Sequence, residues 1–189
     1  MGHIRRLRFA GIMAVGLLTA GGMGVAMAQG GIAANLALSN TIFTQQVGGL
    51  EGKGFTLFVD KESMESGDIA VSRLRISDAT VTDMCMSAPI KIPGVGDKKF
   101  QMFVPGAGTT ATNLVIGAKD MAGSLTLTKP QIGVDAQQLS DQAQPGSFGP
   151  TSQTVEAVNQ TIHASSIAAD KLTAAGGQIS IVDGDGGEC

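Results

Sequence analysis

Few residues in this sequence have side chains suited to covalent or metal chemistry: two cysteines, Cys85 and Cys189, and two histidines, His3 and His163. The nearest match to a serine nucleophile elbow is Pro145-Gly146-Ser147-Phe148-Gly149. That turn is strained and requires a small glycine two residues before the serine, where this chain has Pro145. No histidine follows the candidate acid Asp170, so the order Ser, Asp, His of the α/β-hydrolases is not available, and no catalytic residue is assigned. His163 sits between Ile162 and Ala164 in a strand-like run, a setting in which a solvated or core-rim histidine is expected. One late histidine and two distant cysteines cannot build a zinc centre. In Asp183-Gly184-Asp185-Gly186-Gly187-Glu188 the two aspartates alternate as calcium ligands do, but the chain ends before a twelfth loop position, so a solvated acidic turn is expected and no metal. No phosphate-cradling or dinucleotide glycine motif occurs, and no cofactor is implied. Asn159-Gln160-Thr161 fits a glycosylation acceptor, a triplet too common to carry weight.

The amino terminus says where such a chain works. Arg5, Arg6 and Arg8 precede an uncharged stretch from Phe9 to Ala28 that closes on Ala26-Met27-Ala28, small residues where a signal peptidase needs them. Residues 1–28 are therefore read as a signal peptide, with Gln29 the first residue of the mature chain and residues 29–189 a single domain. A retained membrane anchor is the competing reading, since about 20 uncharged residues also span a bilayer. For an exported protein, an even cysteine count argues for a bridge between Cys85 and Cys189; free thiols or an intermolecular link are the alternatives.

Composition narrows the partners. All sixteen acidic residues lie after position 28 against ten basic ones, a mature net charge of −6 that repels nucleic-acid phosphates. The absence of Trp and Tyr removes the usual stacking platforms for bases and sugars. What remains is binding or assembly without catalysis, or carriage of an apolar ligand in a cavity lined by Met and aliphatic residues.

The elements that must position these residues are strands. Short β-branched, alternating runs are separated by Gly, Pro, Asp and Asn: 32–38, 54–59, 69–76, 79–86, 99–104, 111–116, 124–128, 131–134, 154–164 and 178–182. Leu125 and Leu127 alternate cleanly and are expected on one buried face. Helical signal is thin: residues 60–66 are too few and too polar, and residues 166–174 fit two helical turns or a strand and turn. Residues 92–97 read as a turn and residues 137–153 as a long polar connection. The fold class is all-β, a sandwich, a barrel or an irregular β-solenoid of many short strands, with no fixed repeat period.

Taken in order, several landmarks resemble a family of small exported actinobacterial proteins of uncharacterised function, some labelled cholesterol esterase. The carriers are Leu50-Glu51-Gly52-Lys53-Gly54-Phe55, Met84-Cys85, Ala111-Thr112-Asn113-Leu114-Val115-Ile116, Ile132-Gly133-Val134-Asp135-Ala136, Gly146-Ser147-Phe148-Gly149 and Glu188-Cys189. The resemblance implies a signal peptide, a β-rich exported domain, pairing of Cys85 with Cys189, and a small multi-spanning membrane protein as candidate partner. It supplies no catalytic residue, and the inherited label alone makes lipid or sterol ester hydrolysis the alternative function.

Overall fold

The computed structural model describes residues 41–64, 67–92, 94–135 and 148–184. Among these residues every regular element is a strand. In chain order they are β1 (Phe43–Met64), β2 (Gly67–Ile92), β3 (Gly96–Val104), β4 (Thr109–Thr128), β5 (Gln131–Asp135), β6 (Phe148–Ala168), β7 (Lys171–Ala174) and β8 (Gln178–Asp183). All pairings are antiparallel.

The sheet returns on itself. β1 lies between β2 and β6, while β4 pairs with β2 over Thr109–Ala118 and with β6 over Val115–Thr128. These four strands form a closed circuit, which makes the domain barrel-like and leaves no edge along the paired stretches. β3 and then β8 extend from the second half of β2 as an open arm, β7 flanks the start of β4, and β5 flanks the start of β6.

Four strands are far longer than expected, and the reason lies in residues that read as breaks. The runs 69–76 and 79–86 both belong to the 26-residue β2, and the runs 111–116 and 124–128 to the 20-residue β4. Asp83, Asn113 and Asn159 have φ near +50°, and Gly54 has φ +65°. These four residues lie inside strands, so their left-handed conformation creases the chain without ending it. Asp and Asn tolerate this region because their short polar groups can bond nearby backbone, and glycine has no Cβ to clash.

Each crease exchanges the inward and outward sides. Between residues 45 and 55 of β1 the buried positions are 45, 47, 50, 52 and 55, and between residues 74 and 86 of β2 the inward buried positions are 74, 76, 79, 81, 84 and 86. The step is +2, then +3, a period of five in place of the ordinary two. The same spacing runs through 109, 111, 114 and 116 in β4 and 152, 155, 157, 160 and 162 in β6. Creases coincide across strands: Gly48 faces Asp83 and Asn159, and Ser77 faces Gly54 and Asn113, without ladder pairs at those points. Register is preserved because facing strands change phase together, and inward residues keep meeting inward residues.

The core these phases build is aliphatic, with few aromatics. Leu50 pairs with Val81 and Ala157, Phe55 with Ile76 and Ser152, and Val47 with Met84 and Gln160. Phe43, Phe55, Ile76, Ile116 and Val155 are fully buried. Gln160 enters this layer at low cost because its amide donates to the Ser124 carbonyl at 2.7 Å.

Several expectations are corrected. Leu127 packs against the core, but Leu125 on the same face is 50% exposed, because β4 has no strand beyond it once β2 stops pairing at Ala118. Residues 148–153 of the expected polar connection belong to β6, and residues 60–64 continue β1. Residues 166–174 complete β6 and form β7, where Leu172 packs against the core. The turn expected at 92–97 is tighter: Gly94 and Val95 form it, the Val95 amide donates to the Ile92 carbonyl at 3.0 Å, and Gly96 and Asp97 already belong to β3. Residues 32–38, the signal segment with Ala26, Ala28 and Gln29, Ser147 and Cys189 lie outside the described residues.

Candidate functional site

Three places gather polar chemistry. The first is a network at one end of the circuit. The Arg73 guanidinium donates from Nε to Asp60 at 3.3 Å and from Nη1 to the Ser166 hydroxyl at 3.1 Å, and lies 3.6 Å from Glu62. The Ser165 hydroxyl, nearly fully buried, lies 2.6 Å from Glu62 Oε2 and 3.1 Å from the Gly117 carbonyl. A Cβ on Gly117 would come within 2.7 Å of Glu62 Oε2, so only glycine lets this carboxylate reach across β4. Arg73, Asp60, Glu62, Ser165 and Ser166 each find a partner here, and the network links β1, β2, β4 and β6 as a clasp.

The second is His163. Its Nδ1 lies 2.5 Å from Asp120 Oδ1, its cross-strand partner on β4, and both side chains are about half exposed. The acid beside the histidine is thus Asp120. Asp170 instead accepts a hydrogen bond from Asn113 Nδ2 at 2.5 Å and donates its amide to the Thr112 carbonyl at 3.0 Å. The solvated setting expected for His163 is the one observed, and the His163–Asp120 pair lines none of the grooves described below.

The third is a groove of about 490 Å³ across the outer face of the circuit. Three consecutive residues from each of four strands form it: 51–53 of β1, 78–80 of β2, 110–112 of β4 and 154–156 of β6, with Lys171 of β7 at one end. The middle residue of each triplet points inward, and three of them, Gly52, Ala79 and Ala111, are the smallest available. The flanking residues point outward, so two rows of side chains wall a floor made largely of backbone. Threonines 80, 110, 112 and 154 supply hydroxyls, and Glu51, Glu156, Lys53, Asp78 and Lys171 supply charge. Glu51 and Glu156 are direct cross-strand partners, a like-charge pairing that disfavours the sheet by about 0.2–1 kcal/mol. A wider hollow lies by Thr41, Ile90 and Asp183.

Cys85 is 6% exposed although it points to the outer face of β2, away from the core-lining Met84 and Met86. Its neighbour across the ladder, Phe103, is 40% exposed. No described cysteine is free. At the end of β8, Lys98 donates to the Asp183 carboxylate, and this bond together with the lysine charge holds the Asp183 carboxyl below the usual carboxylate range.

No group of three or more metal-ligating side chains occurs among the described residues, and none of their helices is long and apolar enough to cross a membrane. Sequence reading missed the groove because its chemistry comes from four strands far apart in the chain. The local signal was the five-residue spacing, which sets Glu51 and Lys53, Asp78 and Thr80, and Thr110 and Thr112 on either side of a small inward residue.

The architecture defines an all-β domain whose long creased strands close into a circuit, with a polar outer groove and no assembled catalytic group among the described residues. The chain belongs to the family of unknown function DUF6230, whose model matches residues 39–189. No curated protein and no solved structure matches it.

Proposed function

We propose that the protein is an exported or envelope-associated domain that acts by binding or assembly and catalyses no reaction. The observation that carries this reading is the separation of its reactive groups from its groove: His163 and Asp120 pair on the open outer face, while the groove is lined by threonines and by charges of both signs. An ester hydrolase needs its base beside a nucleophile in a site that holds the acyl group. An apolar-ligand carrier needs an apolar cavity, whereas the described interior is occupied by Phe43, Phe55, Met84, Met86 and their neighbours.

Export rests on the basic Arg5-Arg6-Arg8 start and the Ala26-Met27-Ala28 cleavage site, with Gln29 as the first mature residue. In this reading Cys85 pairs with Cys189. Gln178 stands level with Cys85 across β3 and Asp183 level with Ile90, so the chain leaves β8 about 17 Å along the strands and about 10 Å across them from Cys85. Residues 184–189 reach about 20 Å when extended, enough to bring the two Cα atoms within about 7 Å. Burial of Cys85 on the outer face supports this pairing. The actinobacterial source and the small multi-spanning membrane partner that the resemblance implies belong to the same proposal.

The test is an ester assay on the purified exported protein. Short-chain and sterol esters are expected to remain intact. Hydrolysis that disappears in Ser147→Ala or His163→Ala would establish the lipid-ester hydrolase instead.

A further inference from the structure

The charges around the groove stand apart from the rest of the described surface. Asp60, Glu62 and Arg73 satisfy one another, and Lys61 pairs with Asp68, Lys91 with Asp97, Lys98 with Asp183 and His163 with Asp120. Glu51, Lys53, Asp78, Glu156 and Lys171 have no ion pair or side-chain hydrogen bond among the described residues, a condition shared there only by Lys119 and Lys129. Five unpaired charges thus ring one groove, and two of them are like-charged cross-strand neighbours.

Their order along the groove is specific. Glu156 and Glu51 lie side by side at the β6–β1 end. Thr80 and Thr110 continue that row across β2 and β4. The facing row runs Thr154, Lys53, Asp78 and Thr112 and ends on Lys171, its Lys53 and Asp78 opposite in sign and neutral in sum. From β1 to β7 is three strand spacings, about 14 Å. An occupant therefore meets two carboxylates in one row at the β6–β1 end, with the neutral Lys53–Asp78 pair in the row opposite, then hydroxyls, then an ammonium group about 14 Å away. Four extended peptide residues span about 14 Å, with an ammonium at one end, a carboxylate at the other and amides between. The floor of backbone around Gly52, Ala79 and Ala111 offers no apolar pocket, so side chains of alanine size suit it.

We propose that this groove binds a short, small-residue peptide of about four residues with both ends free, its amino terminus between Glu51 and Glu156 and its carboxylate at Lys171. The proposal rests on the reading of the protein as a non-catalytic binding domain. Glu51 and Glu156 gain a shared counter-ion in the complex, which removes the repulsion between them. The threonine hydroxyls, as donors and acceptors, match peptide N–H and C=O groups.

The experiment follows backbone amide resonances of the isotopically labelled exported protein during titration with tetraalanine, its N-acetyl form and its C-terminal amide. Shifts are expected at residues 51–53, 78–80, 110–112, 154–156 and 171. Affinity should fall about tenfold or more on acetylation and several-fold on amidation, the scale of losing one charge-assisted contact. In Glu51→Gln/Glu156→Gln the free and acetylated peptides should bind alike. The comparison of three peptides uses unaltered protein, so it stands whether or not that variant folds. No shifts up to about 10 mM peptide, shifts elsewhere, or equal affinity for free and acetylated peptide in the unaltered protein would overturn the groove assignment. Recovery of cleaved peptide would instead overturn the non-catalytic reading.

Discussion

Single residues set the creases on which the strands depend. Asp83 holds a left-handed conformation, its carboxylate accepts the Gly106 amide at 2.7 Å, and its own amide donates to the Gly106 carbonyl at 2.9 Å. One side chain thus permits the crease and anchors the β3–β4 turn to β2. Asn113 does the same for the bend after β6 through Asp170. Asp83→Ala combines a left-handed penalty of about 1 kcal/mol with loss of a hydrogen bond of about 1 kcal/mol. Asp83→Gly loses only the bond. Denaturant unfolding should therefore rank the variants wild type, Gly, Ala, with Ala down by about 2 kcal/mol. An Ala variant at least as stable as the Gly variant would show that the backbone conformation at this crease is not what Asp83 is needed for.

At the scale of elements, the closed circuit and the open arm differ in what secures them. The circuit is hydrogen-bonded on both sides along its paired stretches and clasped through Arg73, Glu62 and Ser165. The arm ends at β8, whose Ile179 and Ile181 are about half exposed, and it depends more on the Lys98–Asp183 pair. The Asp183 carboxyl is held low in the folded state, by the bond from Lys98 first and its charge second. A carboxyl titrating lower folded than unfolded adds stability above its unfolded value, and that contribution is lost as pH falls through the folded one. Asp183→Asn should therefore be slightly less stable than wild type at neutral pH and converge with it below the carboxylate range. The pair is exposed, so the difference is small and shrinks with salt. Asp68, lowered by the Ser63 hydroxyl and by Lys61, keeps part of the acid-side slope in both proteins. Thermal midpoints from pH 7 to pH 3 measure this; parallel curves for the two proteins would remove Asp183 from the acid response.

For the whole molecule, the decisive question is what ties the chain end to the sheet. A Cys85–Cys189 bridge closes a loop of about 100 residues and stabilises by at most about 4–5 kcal/mol, acting mainly on the unfolded chain. Under non-reducing conditions the exported protein should present no reactive thiol, and Cys189→Ser should present one and unfold at lower denaturant. An intermolecular link would show instead as a dimer that dissociates on reduction. Unchanged stability in Cys189→Ser would leave the bridge without a structural role.

The strand composition of this protein was legible from sequence alone, because β-branched alternation and the lack of long amphipathic runs are local properties. So were the turn at Ile92 and the solvated setting of His163. Strand length was not, since Asp83, Asn113 and Asn159 look like turn residues until facing strands show them as creases shared in register. The five-residue spacing was present in the sequence, but a two-residue template breaks at every crease and hides it. Closure of the circuit needed β4 to find both β2 and β6, pairings 26 to 53 residues apart in sequence that no local pattern specifies. The groove followed from that closure, because Glu51, Asp78, Thr110 and Glu156 become neighbours only when four strands lie side by side. Tertiary pairing decides which outward residues share a surface, and that is where the chemistry of this protein is assembled.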